Sequence, residues 1–491
     1  MTTIKLDPGA ALLLDALHGA GHAAYAVGGC VRDSLLGLDP HDWDLCTSAR
    51  PEQVMALFGE EKCIPTGLQH GTVTVKQGGR LYETTTFRTE GAYSDGRHPD
   101  AVCFVPDVRE DLARRDFTIN AMAYSAEEGL IDPFGGRDDL AAHRVRAVGE
   151  PERRFEEDAL RILRLYRFAA RFGFAIDPAT GVAARALGPH LDCVSAERIQ
   201  EELLKLLAAP RPGSYLEPAV LAVILPELEP EKQPERFAEL CRTIDRIEPT
   251  VENVPARLAA LLCPLGEAGA RKALRKLKCS NALTDEVTAL EREAGGGAGS
   301  FLLPRSRDRW AGSSSEDRPL GWDPAAAGSR AGDGMACNSN DRRQWRMQEI
   351  AVGAAASDTQ AMRSGCWEPQ PELVSDQTLM AKRLLGRYEL PTIQRLTALC
   401  SARHPEQTGA FAALRAEAEQ LTAENACCRV SQLAVNGRDL MAAGVRPGPG
   451  LRQVLNALLE AVITGQTPNE KDALLAAAAH FLRLDKRKKL R

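Results

Sequence analysis

Tyr25-Ala26-Val27-Gly28-Gly29-Cys30-Val31-Arg32-Asp33, followed shortly by Asp42-Trp43-Asp44-Leu45-Cys46, is the stretch from which the rest of the chain is read. Tyr25-Ala26-Val27 has the composition of a strand, and the two glycines end it. A helix is expected from about Cys30 to Leu36. Glycine at a strand-to-helix junction lets the backbone approach a phosphate. The start of the following helix adds unpaired N–H groups and a favourable dipole. Gly28 and Gly29 are therefore candidate nucleotide contacts, and Arg32, one turn into the helix, would add a positive charge. A Gly-Gly turn is also ordinary chain geometry. The spacing is not G-x-G-x-x-G, which speaks against a dinucleotide-binding fold.

Asp42 to Cys46 reads as a second strand. Alternate residues of a strand face one side, so the Asp42 and Asp44 carboxylates should converge. Such a pair repels unless a cation sits between, and Mg2+ prefers oxygen ligands of this kind. Two metal ions held there would activate a 3′-hydroxyl and neutralise a leaving pyrophosphate. A lone D-x-D is common on protein surfaces; here Gly28-Gly29 and Arg32-Asp33 just upstream turn the reading towards catalysis. Glu83, in Leu81-Tyr82-Glu83-Thr84-Thr85, is the candidate third carboxylate, with a solvated strand-edge glutamate as the alternative.

Working outward, residues 10 to 20 read as a helix. Thr72 to Val75 and Leu81 to Phe87 read as strands around a Gly78-Gly79 hairpin turn, and Val102 to Val105 as another strand. From roughly 150 to 290 the pattern is helical with short breaks. Residues 296 to 372 hold Trp310, Trp322, Trp345 and Trp367 among Gly, Ser, Arg and Asp, with no persisting period. Helical patterning returns near Leu379, interrupted at Gly444 to Gly450. The class is therefore α+β: a small mixed-sheet head followed by an elongated all-helical neck, body and tail. The expected divisions are a catalytic head at 1–146, a neck at 147–210, a body at 211–295, an irregular, poorly ordered insert without catalytic role at 296–372, and a further body and tail at 373–491.

The chain of 491 residues is too long for a single core. Aromatics are only 5% of all residues while hydrophobic residues are 44%, so the core must rest mainly on Leu, Ala, Val and Ile. No apolar run approaches the roughly 18 residues of a membrane span. Met1-Thr2-Thr3-Ile4-Lys5 lacks the apolar stretch of a signal peptide, and a cytosolic location follows by default. The 13 cysteines are scattered without a C-x-x-C pair, which points to reduced, mostly buried thiols. A net charge of −6 does not advertise nucleic acid, but Arg161, Arg164, Arg167 and Arg171 cluster, and the basic end Lys486 to Arg491 is read as a solvated tail.

Glu157 to Phe168 reads as an amphipathic helix. At about 100° per residue, Ala159, Ile162, Leu163, Tyr166 and Ala169 form the apolar stripe, with Arg161, Arg164 and Arg167 in the opposite arc. Asp158 would lie roughly 60° from Arg161. An acceptor and a forked donor so placed can read the edge of a base. The competing reading is an exposed helix with an i,i+3 ion pair of a few tenths of a kcal/mol.

In combination these motifs carry a resemblance. Gly28-Gly29-Cys30-Val31-Arg32-Asp33 followed by Asp42-Trp43-Asp44 resembles the head signature of class II tRNA nucleotidyltransferases (CCA-adding enzymes) and bacterial poly(A) polymerases. Arg114 to Ala123 resembles that family's second motif, and Phe87 to Pro99 the flexible loop between them. Glu157-Asp158-Ala159-Leu160-Arg161 resembles its E-D-x-x-R motif, supported by Asp132 to Gly136 and Arg154-Phe155. The resemblance implies that Gly29, Arg32 and Arg115 contact the nucleotide. It implies that Asp158 and Arg161 act as a protein template for CTP and ATP, with Arg164 and Arg167 supporting triphosphate or primer. For Arg115 and Asp116, a local ion pair with helix capping is a compatible reading. Ser195 to Leu206 resembles a family helix whose implied task is bracing the neck.

Val435 to Leu440 and Gly444 to Gly450 resemble the tail of shorter family members, which meets the tRNA elbow. A capped turn and a plain loop explain those segments equally well. The implied activity is template-independent addition and repair of the 3′-terminal CCA of tRNA with Mg2+. The tRNA 3′ end is then the partner and CTP and ATP are substrates. The resemblance covers roughly 10 to 290 and 375 to 485; no oligomeric state is read. Poly(A) polymerases usually carry Pro-Val after the motif's Asp, where this chain has Ala159-Leu160. Poly(A) addition, partial CC or A addition, and a catalytically weak RNA-binding protein stay open as alternatives.

Overall fold

The computed structural model describes residues 3–91, 102–295 and 374–488. They fall into two compact units. Residues up to 295 join Asp376–Arg429 in one, and residues from Val430 onward belong to the other. Residues 296 to 372, most of the Glu90–Pro99 loop and the last residues of the basic tail lie outside the described residues.

The head is a mixed sheet, as the α+β reading required. Strands β1 (Ala24–Val27), β2 (Leu45–Thr47), β3 (Cys63–Gly67), β4 (Thr72–Gln77) and β5 (Arg80–Thr86) form most of it. The short strands β6 (Arg88–Glu90) and β7 (Val102–Phe104) pair separately, and β8 (Ala123–Ser125) and β9 (Gly129–Ile131) complete the main sheet. Its order is β3-β4-β5-β2-β1-β8-β9, with β2 and β5 parallel and the other neighbours antiparallel. The Gly78-Gly79 turn is the expected two-residue hairpin. Both residues have positive φ (59° and 80°), which only glycine adopts readily, and Gln77 pairs with Arg80 across it.

Helix Pro8–Gly19 starts where Asp7 accepts hydrogen bonds from the Gly9 and Ala10 amides, and it buries Leu13, Leu14 and Leu17. All of β1 is buried.

The neck is built from helices Pro151–Glu157, Leu160–Phe172 and Ala196–Leu207. Strand β10 (Arg144–Val145) pairs with β11 (Ala175–Ile176), so the stretch expected to be wholly helical carries one short strand. Arg257, fully buried, ties neck to body. Its guanidinium donates to the carbonyls of Leu207 at 2.6 Å and Ala209 at 2.5 Å, and to that of Ile247. These include a carbonyl at the end of helix Ala196–Leu207, where no intrahelical donor remains. Residues Asp376–Arg429 pack back onto the same body, with helix Leu390–Arg403 against Asn281–Ala294.

The second unit carries helices Gly437–Ala442, Pro449–Ile463 and Lys471–Lys488. Asn436 caps the first of these: its Oδ1 accepts from Arg438 N at 2.8 Å. The described cysteines are all free; Cys30 and Cys400 are buried, and burial pushes both thiols up to about 12.

Two local expectations need correction. Asp42 to Asp44 is not ladder-bonded strand; β2 begins at Leu45. Nor is Glu157 to Phe168 one helix. Asp158 stands between two helices at φ −147° and ψ 103°, so helical angles cannot place its side chain.

Candidate active site

Gly28 closes β1 and precedes helix Gly29–Leu35, with φ 77°. Its N–H donates to Met122 O at 3.1 Å, which locks the turn to the second motif. A β-carbon at Gly28 would lie 2.9 Å from Arg115 Nη1. Glycine is thus required here both by the backbone angle and by the arginine beside it. Gly29 carries no such demand, because its β-carbon would meet only Arg32 Nη2 at 3.7 Å. Arg115 holds Asp111 at 3.3 Å through Nη2, while its buried Nε has no hydrogen-bond partner.

Arg32, expected as a charged contact to the nucleotide, is 4% exposed. Its Nε and Nη2 donate to Asp33 at 2.8 and 2.7 Å, and its Nη1 donates to Asn120 Oδ1. The guanidinium lies 4.8 Å from the Phe172 ring centre and 5.3 Å from that of Phe168. Asn120 Nδ2 donates to Asp116 Oδ1 at 3.0 Å, and Asp116 Oδ2 accepts from Arg164 Nε and Nη2 at 2.8 and 2.6 Å. Asp33 also takes Arg171 Nη2 at 3.3 Å.

The result is one chain, Arg171–Asp33–Arg32–Asn120–Asp116–Arg164, joining the glycine-turn motif, the second motif and the neck helix. Burial alone would raise the Asp116 carboxyl. The Arg164 charge, the Asn120 bond and the Arg164 bonds outweigh it and hold the group well below the usual carboxylate range.

Asp42 and Asp44 are exposed while Trp43 between them is buried. The expected alternation therefore survives although the segment is not a strand. Val27 N–H donates to Asp44 O at 2.9 Å, which anchors the segment beside β1. Parallel pairing sets Leu45 opposite Thr84, so Asp44 and Glu83 occupy the preceding positions of adjacent chains. Desolvation first, then the Glu83 charge, and more weakly Asp42, raise the Asp44 carboxyl, with Arg115 opposing. Glu83 and Asp42 thus both act on Asp44. Among the described residues no group of three His, Cys, Asp or Glu side chains is gathered tightly enough to hold a metal ion by itself. An oxygen-only set whose members repel still has the chemistry suited to a hard divalent cation.

In the neck, the arginines expected on the arc opposite the apolar stripe are largely enclosed. Arg161, 9% exposed, donates through Nη1 to Glu157 Oε2 at 2.7 Å and Arg154 O at 3.1 Å, and through Nη2 to Arg114 O at 3.2 Å. Arg167 meets Glu202 Oε2 at 2.6 Å and lies 4.0 Å above the Phe168 ring. Asp158 Oδ1 accepts the Leu160 N–H at 3.0 Å, and its Oδ2 accepts from Arg198 Nη2 at 2.8 Å. The Arg161 N–H donates to Asp158 O at 3.0 Å, but the two side chains have different partners.

Sequence reasoning missed Asn120, Phe168, Phe172, Arg198 and Glu202 as members of this constellation. Asn120 sat in the quoted second motif, and Arg198 and Glu202 in the Ser195 helix. The four-residue spacing of Phe168 and Phe172 was the available sign of a ring stripe facing Arg32.

A family model for the poly A polymerase head domain matches residues 24–146. A second, "Probable RNA and SrmB- binding site of polymerase A", matches 173–232. A third, for tRNA nucleotidyltransferase domain 2, matches 386–478. The CCA-adding enzyme of Limosilactobacillus fermentum is 32% identical over 480 residues, 96% of either chain. That of Geobacillus stearothermophilus is 42% identical over 281 residues, 57% of this chain and 68% of the relative. The crystal structure of Bacillus stearothermophilus CCA-adding enzyme in complex with CTP superposes with a TM-score of 0.69 at 30% identity, over 98% of this chain and 100% of the other. Thermotoga maritima CCA-adding enzyme complexed with tRNA shares the fold at a TM-score of 0.59 and 20% identity, over 97% of this chain and 96% of the other.

Proposed function

The chain belongs to the CCA-adding enzymes, and from that premise we propose how its residues divide the work of building the 3′ end of tRNA. The enzyme is a tRNA nucleotidyltransferase. It adds and repairs the terminal CCA without a nucleic-acid template, using CTP and ATP and releasing pyrophosphate. Enzymes of this kind depend on a metal. Here we assign Mg2+ in a two-metal arrangement to Asp42 and Asp44, with Glu83 as the third carboxylate. When bound, the metal polarises the α-phosphoryl group, supports ionisation of the 3′-hydroxyl and neutralises pyrophosphate.

The Gly29 amide, the start of helix Gly29–Leu35 and the Arg115 guanidinium beside the Gly28 turn cradle the triphosphate. Arg32 shapes the wall of that site through Asp33 and Asn120, and Arg164 and Arg167 flank it from the neck. Asp158 accepts from the exocyclic amino group that cytosine and adenine present and uracil lacks, while Arg161 supplies donors to the same base. By this division residues 1–146 are the catalytic head, 147–210 the nucleotide-selecting neck, 211–295 the body, and 373–491 the part that holds tRNA. The described residues contain no helix long and apolar enough to cross a membrane, and tRNA as substrate supports a cytoplasmic site of action.

The observation that carries this reading is the placement of Asp44 beside β1 and, through the parallel β2–β5 register, beside Glu83, with Arg115 against the Gly28 turn. The test is incorporation on tRNAs ending before CCA, after C and after CC. Ordered addition that stops at A is expected, lost in Asp42→Ala and Asp44→Ala while tRNA binding persists. Long A-tails on unrelated RNA, or activity retained in both variants, would overturn it.

A further inference from the structure

Helix Ala196–Leu207 carries Arg198 and Glu202 one turn apart, and both reach across to the neck residues assigned to the nucleotide. Arg198 Nη2 lies 2.8 Å from Asp158 Oδ2, and Glu202 Oε2 lies 2.6 Å from Arg167 Nε. The pair is sheltered: the Arg198 and Asp158 side chains are 20% and 16% exposed. Asp158 sits at a helix break, where no regular backbone geometry aims its side chain. Two bonds aim it instead. The Leu160 N–H takes one carboxylate oxygen and Arg198 takes the other, which fixes the plane of the group and leaves each oxygen a second lone pair.

We propose that Arg198 is a positioning residue for base choice: it aims Asp158 at the edge of the incoming base without touching the nucleotide itself. The inference rests on the assignment of Asp158 to base reading. Cytosine and uracil differ at that edge by an amino donor in place of a carbonyl acceptor and by an acceptor in place of a donor at N3, so the direction of the Asp158 acceptor oxygen bears on the first of these differences. A misplacement of about 1 Å at such a contact costs on the order of 100-fold in rate. Glu202, on the same helix face, holds Arg167 against Phe168 and keeps this helix in step with Leu160–Phe172.

The experiment compares kcat/KM for CTP and UTP on tRNA ending before CCA, in the full-length enzyme and in Arg198→Met, Arg198→Lys, Asp158→Ala and the Asp158→Ala/Arg198→Met double variant. Arg198→Met should lower the CTP-over-UTP ratio by about 10- to 100-fold with KM for tRNA unchanged. Arg198→Lys should recover part of the ratio, and the double variant should discriminate no worse than Asp158→Ala alone. If Arg198→Met fails to fold, Arg198→Lys and Arg198→Gln carry the same comparison. An equal loss for both nucleotides, or an unchanged ratio in the Arg198 variants while Asp158→Ala loses it, overturns the positioning role. An unchanged ratio in Asp158→Ala removes the base-reading assignment and this inference with it.

Discussion

Gly28 combines a positive φ with an arginine within contact distance, so its substitution separates backbone strain from chemistry. Gly28→Ala is expected to lose about 1–2 kcal/mol of stability, the usual cost of a β-carbon in that conformation. It should also raise KM for CTP and ATP, because Arg115 must move aside. Denaturant unfolding and incorporation kinetics measure the two effects, and an unchanged KM would detach the turn from triphosphate binding. At this scale much was legible. Glycine at a strand end, and an apolar Trp43 between two acids, report their own conformation through local sterics and burial. Arg32 was less legible: an arginine one turn into a helix looks exposed until Asp33, Asn120 and two phenylalanine rings enclose it.

Among the elements, the helices of the body hold a charge that the active site does not use. Glu291, on helix Asn281–Ala294, is 5% exposed and its Oε1 has no hydrogen-bond partner. Desolvation, only partly opposed by the Arg403 charge, pushes its carboxyl up to about 7. Its folded pKa therefore lies above the unfolded one. The stability it permits is intact below the ordinary glutamate value of 4.5 and is lost as pH rises through about 7. Glu291→Gln should match the wild type near pH 5 and exceed it by about 1–3 kcal/mol near pH 8 in urea unfolding. Equal stability at both pH values would show that Glu291 is solvated or paired in the folded enzyme.

Helix Pro8–Gly19, β1, helix Gly29–Leu35, β4 and β5 were legible from apolar patterning and glycine turns, whereas β3, β8, β9 and helix Pro51–Phe58 drew no reading. The break at Asp158 was not. Glu157 to Phe168 has helical periodicity throughout, and only the packing of Arg154, Glu157 and Arg161 against one another and the Arg114 carbonyl shows where the helix begins.

At the scale of the molecule, every residue assigned to chemistry or base choice lies in the first unit, whose apolar core extends to Cys428. A chain ended after Arg429 is therefore expected to fold and to keep its CTP-over-UTP ratio. Its KM for tRNA should rise by about tenfold, the equivalent of roughly 1.4 kcal/mol of lost binding. Loss of nucleotide selectivity together with tRNA affinity would show that the second unit shapes the active site.

The sequence by itself determined the family, the α+β order of a sheet-bearing head before helices, and the acids and glycines to which the chemistry is assigned. Each of these is written in residues a few positions apart. Only the tertiary structure decided that Glu83 stands beside Asp44, that Arg198 rather than Arg161 holds Asp158, and that Asn120 couples Arg32 to Asp116. Those partners are set by the parallel register of β2 on β5 and by the packing of neck helices on the head. Such contacts join residues tens of positions apart, and no period or spacing along the chain encodes which side chain a buried charge will meet.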